Sequence, residues 1–416
     1  MTYQHRSIEP HLRELARAFP AILVTGPRQT GKTSLLTAVG AAVADQSVTA
    51  LSFDTPQQVD RFRRDPELFF QEHPGVLFLD EVQHAPDVFP WLKREIDRTG
   101  KGFRFFLSGS QHFHLMRGVT ESLAGRVAVL DLWPFAAREL DTGDLRPLVA
   151  ALEQPERLLE LQRVDYPCPP DRVLRAMLRG GYPPVCLDQA PATAWFESYR
   201  RTFVQRDIRD LSQVADLGRF DRFVTLCAGR SGTVVNKSEI ANSLGIDNKT
   251  VDHWLSLLES SYQVVSLPAY HQNTTSRLTK RPKLLFADSG LGLHLQAIRE
   301  PDTLRNAPHF GRLFEAFVLM EIRKLFGHAA LPWNGHHWST PRGAECDLVL
   351  PVGERLIPVE VKFAASVGLD DARGIDAMRR IHGERVGTGI VVSLSPRLER
   401  IAERVINLPV GMLLGG

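Results

Sequence analysis

Hydrophobic residues in this chain fall into two patterns, and their alternation sketches the fold before any motif is considered. Continuous apolar runs at residues 21–25, 48–54, 75–81, 103–110 and 127–132 have the length of buried strands. Residues 8–19 read as an amphipathic helix leading into the first run, and the stretch from Ser34 onward reads as another helix. Strands apolar on both faces and alternating with helices predict a parallel sheet covered on both sides.

Beyond residue 140 the pattern changes. Residues 141–170 carry Pro147, Pro155, Pro167, Pro169 and Pro170 and read as a connector. Residues 171–230 are helical and Arg-rich, but Asp207, Asp210, Asp216 and Asp221 balance the arginines, which favours a solvated helical lid. Residues 237–258 then take the form of a helix-turn-helix. Ile240, Ala241 and Leu244 line one helix and Gly245 makes the turn. Asp247 caps a second helix, buried through Val251, Trp254, Leu255 and Leu258. Asn248 and Lys249 would project from the helix end that enters a major groove.

No acid occurs from Ser260 to Ala287, where Arg277, Lys280, Arg281 and Lys283 read as a basic β-wing. Winged helices dock proteins as well as DNA, and Asp252 and Glu259 on the candidate reading helix weigh against DNA, so both partners stay open. Residues 310–326 form a helix that is apolar nearly all round, followed by a hairpin of residues 344–350 and 356–363. The fold class expected is α/β: a P-loop NTPase parallel sheet, a helical and winged-helix region, and a C-terminal α/β domain. The expected boundaries are 1–140, 141–230, 231–300 and 301–416.

Composition narrows the class without choosing a function. Of 416 residues 43% are hydrophobic and 24% charged, ordinary for a soluble globular protein. The net charge is only +2, so any nucleic-acid surface must be a local patch. The four cysteines, Cys168, Cys186, Cys227 and Cys346, are scattered without a C-x-x-C pair, which points to a reducing, cytoplasmic setting. Residues 1–20 lack a signal-peptide core, and no run approaches the ~18 apolar residues of a membrane helix.

The sharpest chemistry lies at Gly26 to Thr33, which spell G-x-x-x-x-G-K-T between a strand and a helix. Gly26 and Gly31 let the backbone curl, so that the N–H groups of Pro27-Arg28-Gln29-Thr30-Gly31 (proline aside) and the helix start at Ser34 face an anion. Lys32 reaches the β- and γ-phosphates of ATP, and the Thr33 hydroxyl suits Mg²⁺. Asp80 and Glu81 close a later apolar strand. Asp80 is placed to hold Mg²⁺ through water and Glu81 to activate the attacking water; the plain alternative is two solvated acids ending a strand. Ser108 ends a further strand and is a candidate γ-phosphate sensor. Arg126 is a candidate charge-stabilising arginine in its own or a neighbouring subunit, which leaves a homo-oligomer open.

Taken together, GPRQTGKT, FLDEVQ, FLSGSQ and LAGRV resemble a bacterial and archaeal group of AAA-type ATPases whose long C-terminal region ends in a PD-(D/E)XK nuclease-like fold. The segments 179–183, 206–208, 282–290 and 358–362 match that group as well, so the resemblance covers nearly the whole chain. It implies ATP and Mg²⁺ as cofactors, and lids of this kind often carry an arginine such as Arg206.

Glu315 has Val318, Leu319 and Ile322 at its helical neighbour positions, where a carboxylate wants a cationic partner or a metal. A four-residue turn from Val352 to Arg355 would set Asp347 opposite Glu360, and Lys362 shares the face of Glu360. With the resemblance, these residues match the D…E-x-K nuclease pattern, in which Asp347, Glu360 and Glu315 hold Mg²⁺ and Lys362 steadies the reacting charge. The bland alternative is an inactive scaffold in which Glu360 and Lys362 merely close a salt bridge. His337-Trp338 is followed by Ser339 where that pattern often has arginine. Two functions follow: an ATP-hydrolysing regulator of a DNA-facing, nuclease-like domain, or a non-cutting ATP switch that docks DNA or a protein. A small-molecule kinase would leave the C-terminal half unexplained.

Overall fold

A computed structural model of the chain describes residues 3–100, 102–110, 121–141, 145–160, 165–187, 189–203, 214, 216–271 and 281–415. The chain forms two compact units, one of Met1–Trp133 with Ser260–Tyr262 and Gly327–Leu331, the other of Pro134–Glu259, Gln263–Phe326 and Pro332–Gly416.

In the first unit, β1 (Ala21–Thr25), β2 (Val48–Ser52), β3 (Val76–Asp80), β4 (Phe105–Ser108) and β5 (Val127–Asp131) form a five-stranded sheet in the order β2-β3-β4-β1-β5. Every neighbouring pair is parallel. All of β1 is buried, and its side chains alternate between two cores. Ile22 and Val24 pack with Leu35, Leu36 and Phe106; Ala21 and Leu23 pack with Leu77, Leu79 and Leu107. Each of the larger side chains, Ile22, Leu23 and Val24 among them, contributes about 1.5–3 kcal/mol by burial. Helices α1 (Glu9–Ala18) and α2 (Lys32–Ala44) supply one cover, and α3 (Val88–Thr99) belongs to the other. This is the P-loop NTPase type of sheet, with the glycine-rich loop between β1 and α2.

The second unit begins with a helical part whose core gathers Tyr182, Phe196, Phe220, Phe223 and Trp254. It includes α4 (Lys237–Leu244) and α5 (Asn248–Ser260), joined through Gly245 in the left-handed region at φ 63°. Asp247 Oδ1 accepts the Thr250 N–H at 2.7 Å, capping α5. Strands β6 (Thr233–Val234), β7 (Val264–Leu267) and β8 (Lys283–Phe286) make a small antiparallel sheet in the order β6-β8-β7.

Helix α6 (Phe310–His328) is followed by a mixed sheet of β9 (His336–Ser339), β10 (Glu345–Val352), β11 (Arg355–Lys362), β12 (Gly389–Ser393), β13 (Glu399–Ala402) and β14 (Val405–Pro409). Its order is β13-β14-β12-β11-β10-β9. Helix α7 (Arg373–His382) buries Ile375 and Met378.

Two of the segments that carry the family resemblance meet here as a structural junction. The Asp288 carboxylate accepts the N–H groups of Gly181 at 2.7 Å and Leu291 at 2.9 Å. A Cβ on Gly180 would run into that carboxylate, and one on Gly181 into the Phe135 carbonyl, which accounts for both glycines. Burial pushes the Asp288 carboxyl up even with Lys324 nearby. Lys324 itself pairs with Glu321 at 2.8 Å in full burial, and Glu321 accepts the Ala137 N–H at 2.6 Å.

Candidate nucleotide site and C-terminal acid cluster

The loop between β1 and α2 is curled by three residues with positive φ, Gly26 (140°), Gln29 (60°) and Gly31 (90°). A Cβ on Gly26 would collide with the Leu132 carbonyl, so only glycine lets the loop lie against the end of β5. Pro27 and Thr30 are buried, Arg28 is half-buried, and Gln29, Thr33 and Ser34 are exposed. Thr30 Oγ1 closes the loop by donating to the Pro27 carbonyl at 2.9 Å. Lys32 is buried within the curl, its Nζ donating to the carbonyls of Gly26 at 3.0 Å and Pro27 at 2.7 Å.

Strand order explains what stands beside the loop. Because β4 lies between β3 and β1, their carboxyl ends bring Asp80, Ser108 and the loop together. The Thr33 hydroxyl donates to both Asp80 oxygens, at 3.1 and 3.0 Å, and the Ser108 hydroxyl donates to Asp80 Oδ1. The next residue, Glu81, takes the left-handed conformation at φ 54°, which a non-glycine residue adopts only where its surroundings hold it. The Gln83 amide donates to Glu81 Oε2, and the Glu81 N–H faces Ser108 Oγ at 3.4 Å. Sequence reasoning passed over Gln83, although it stands two residues beyond the acid it holds.

Arg126 is not brought to this loop. Its guanidinium pairs with Asp97 at 2.8 and 3.3 Å, just before β5. Register sets Ala21 against Val127 and Thr25 against Asp131, so Arg126 lies at the opposite end of the sheet, about 16 Å away at ~3.3 Å per residue. Arg206 falls outside the described residues.

Whether these residues suit ATP with Mg²⁺ is tested by the donor set itself. A curled backbone, one buried ammonium and a hydroxyl–carboxylate pair 3.0 Å apart are what phosphates and a hard cation require, and they fit.

The second gathering of acids is built differently. In the hairpin, Val352 pairs with Arg355 and Leu348 with Val359; continued by one residue, that register sets Asp347 against Glu360. Asp347 and Glu360 are both buried, and Asp347 Oδ2 accepts the Val361 N–H at 2.8 Å. The Lys362 ammonium lies 3.1 Å from Glu360 Oε2. Gly374, early in α7, closes the other side, since a Cβ there would strike Glu360 Oε1.

Glu315, on α6, pairs with Lys283 at 2.5 Å. This corrects the expectation for Lys283. It is buried rather than wing-facing, because the half-buried Glu315 carboxylate on the neighbouring helix draws it inward. Of the other wing cations, Arg281 is exposed, while Arg277 and Lys280 lie outside the described residues.

Burial, then Asp347, push the Glu315 carboxyl up to about 7 against the pull of Lys283. The same two causes push Glu360 up to about 8 against Lys362. Burial also raises Asp347. Burial works against the charge of Lys283, but Glu315 and Asp347 outweigh it and hold the ammonium above its usual range.

Among the described residues, no group of three or more His, Cys, Asp or Glu side chains could hold a metal ion. Glu315, Asp347 and Glu360, the residues expected to hold Mg²⁺, each meet a partner within the protein. Their carboxylates are turned to lysines and to a backbone N–H.

Residues 18–141 match a family described as an AAA domain. The N-terminal part of this chain is an AAA-type, P-loop domain. Behind the AAA domain, residues 171–302 and 310–413 match two families described as domains of unknown function, DUF8612 and DUF4143. The uncharacterized protein Rv2008c of Mycobacterium tuberculosis is 29% identical over 365 residues, spanning 87% of this chain and 74% of its own length. The uncharacterized protein Mb2031c of Mycobacterium bovis gives the same figures: 29% over 365 residues, 87% and 74%. Among solved structures, the Thermotoga maritima RuvB Holliday junction branch migration motor is 14% identical with a TM-score of 0.28, covering 62% of this chain and 85% of that one. No helix among the described residues is long and apolar enough to cross a membrane.

Proposed function

We propose that the AAA domain binds and hydrolyses ATP and that its nucleotide state governs the C-terminal half of the chain. The observation that carries this reading is the Thr33 hydroxyl held 3.0 Å from Asp80 beside a curled, lysine-bearing loop. Bound ATP with Mg²⁺ would supply the scissile phosphoanhydride and the divalent charge, with Thr33 and Asp80 as the residues that hold the metal. Lys32 neutralises charge at the β- and γ-phosphates. Glu81, oriented by Gln83, takes a proton from the attacking water, and Ser108 reports the state of the γ-phosphate through Asp80.

The chain leaves the second unit and enters the first at Ser260–Tyr262 and again at Gly327–Leu331, at the ends of α5 and α6. These crossings support coupling between nucleotide and C-terminal half. The boundaries 1–140, 141–230, 231–300 and 301–416 remain the proposed domains. Steady-state phosphate release tests the assignment: Glu81→Gln should bind ATP as the parent does and turn it over about 10²–10³-fold more slowly. Equal turnover would remove Glu81 from the role of base.

For the C-terminal half, the lysine-neutralised acids favour the non-cutting switch over the nuclease. The switch docks DNA or protein through the winged-helix region. The exposed Asn248, Lys249 and Arg281 support DNA. Lys249→Ala with Arg281→Ala should then lower the slope of log K against log salt by about 1.8, at ~0.9 per phosphate contact. An unchanged slope would favour a protein partner, and nicking of plasmid with Mg²⁺ and ATP would restore the nuclease.

A further inference from the structure

The back of the phosphate loop is fastened by residues that lie outside the Gly26–Thr33 stretch. Thr25, fully buried just before Gly26, donates to Asp131 Oδ1 at 2.8 Å and lies 2.8 Å from the Tyr262 hydroxyl. Tyr262 donates to the same Asp131 oxygen at 2.7 Å, and its ring meets Trp133 edge to face at 5.3 Å. At the other end of the loop, Arg6 donates to the Thr30 carbonyl at 3.1 Å and to the Trp133 carbonyl at 2.8 Å. Its Nη2 also lies 3.2 Å from His328 Nε2. Arg6 and Tyr262 are buried, and both belong to the same compact unit as the loop.

Tyr262 occupies the left-handed region at φ 60°, a conformation that a bulky residue keeps only when its contacts over-determine it. A phosphate cradle works because its N–H groups point the right way before the ligand arrives; a loop that must first be ordered binds more weakly. We propose that Tyr262 and Arg6 are positioning residues of the nucleotide site, fixing the entry of the phosphate loop at Thr25 and its exit at Thr30. The proposal rests on the nucleotide reading above and extends it to residues at positions 6 and 262, far from the loop in sequence.

The full chain and a fluorescent ATP analogue test this, with phosphate release and the nucleotide-free melting temperature alongside. Tyr262→Phe keeps the ring on Trp133 and removes only the hydroxyl. It should weaken nucleotide affinity about tenfold, leave turnover at saturating ATP near that of the parent, and shift the nucleotide-free melt by only a few degrees. Thr25→Val should behave alike and Thr25→Ser like the parent. The double variant should lose less than the sum of the two single losses, because both hydroxyls donate to the same Asp131 oxygen and act as one network. If Tyr262→Phe fails to fold, Thr25→Val against Thr25→Ser decides the matter. Parent-like affinity in Tyr262→Phe, or fully additive losses in the double variant, overturns the positioning role while ATP binding by the parent stands. A parent that binds no more tightly than Lys32→Ala overturns the nucleotide reading and this proposal with it.

Discussion

Two places in this chain gather carboxylates, one at the carboxyl end of β3 and one between α6 and the β10–β11 hairpin, and they are finished in opposite ways. At the AAA site, Asp80 and Glu81 face hydroxyls and an amide, from Thr33, Ser108 and Gln83. At the C-terminal site, Glu315 and Glu360 face lysines and Asp347 a backbone N–H. A carboxylate met by hydroxyls keeps its charge available to an arriving cation, since a hydroxyl can donate to it and still turn a lone pair to a metal. A carboxylate met by an ammonium is already compensated, and removing the ammonium leaves the acid with its charge unpaired away from water. The first arrangement suits a ligand that comes and goes, and the second holds structure together.

The largest test of this contrast is Lys32→Ala. Lys32 is the buried cation of the AAA loop, so its removal should lower ATP affinity by about two orders of magnitude or more. Isothermal titration with ATP and Mg²⁺ measures it, and affinity within threefold of the parent would break the AAA half of the comparison.

Lys283→Met probes the other half. It leaves the half-buried Glu315 without its ammonium partner and should destabilise the chain by about 3 kcal/mol in urea unfolding. A loss below about 1 kcal/mol would mean that the pair is not structural.

Smaller, and sharper in sign, is the pH dependence. Glu315 and Glu360 titrate near 7 and 8 when folded but near 4.5 when unfolded, so between those values the native state holds more protons. Stability should therefore fall as pH rises from about 4.5 to about 8, and Glu360→Gln should flatten that fall. Parallel pH profiles for parent and variant, from thermal melts, would contradict the burial of Glu360 as a strained acid.

Most of the AAA site was legible because its parts are local. Glycines, lysine and threonine follow one another, and the strand pattern places Asp80 and Ser108 at neighbouring carboxyl ends. The C-terminal hairpin was legible for a similar reason, since Val352 pairing with Arg355 needs only the turn between them. What escaped depends on distant pairing. Lys283 sits in a stretch without acids and reads as a solvated wing, yet its partner lies 32 residues on. Tyr262 falls within the stretch that reads as the wing, and Arg6 carries no motif; both reach the phosphate loop only through the folded chain. The place of Arg126 follows from strand register, which a motif cannot supply.

The contrast between the two acid sites comes down to how many divalent ions the chain holds. Mn²⁺ titration of the full chain with ATP, followed by electron paramagnetic resonance, counts them directly. One Mn²⁺ per chain, lost in Asp80→Ala and kept in Asp347→Ala with Glu360→Ala, is the predicted result. A second Mn²⁺ that disappears in Asp347→Ala with Glu360→Ala would contradict it and return the C-terminal cluster to metal chemistry.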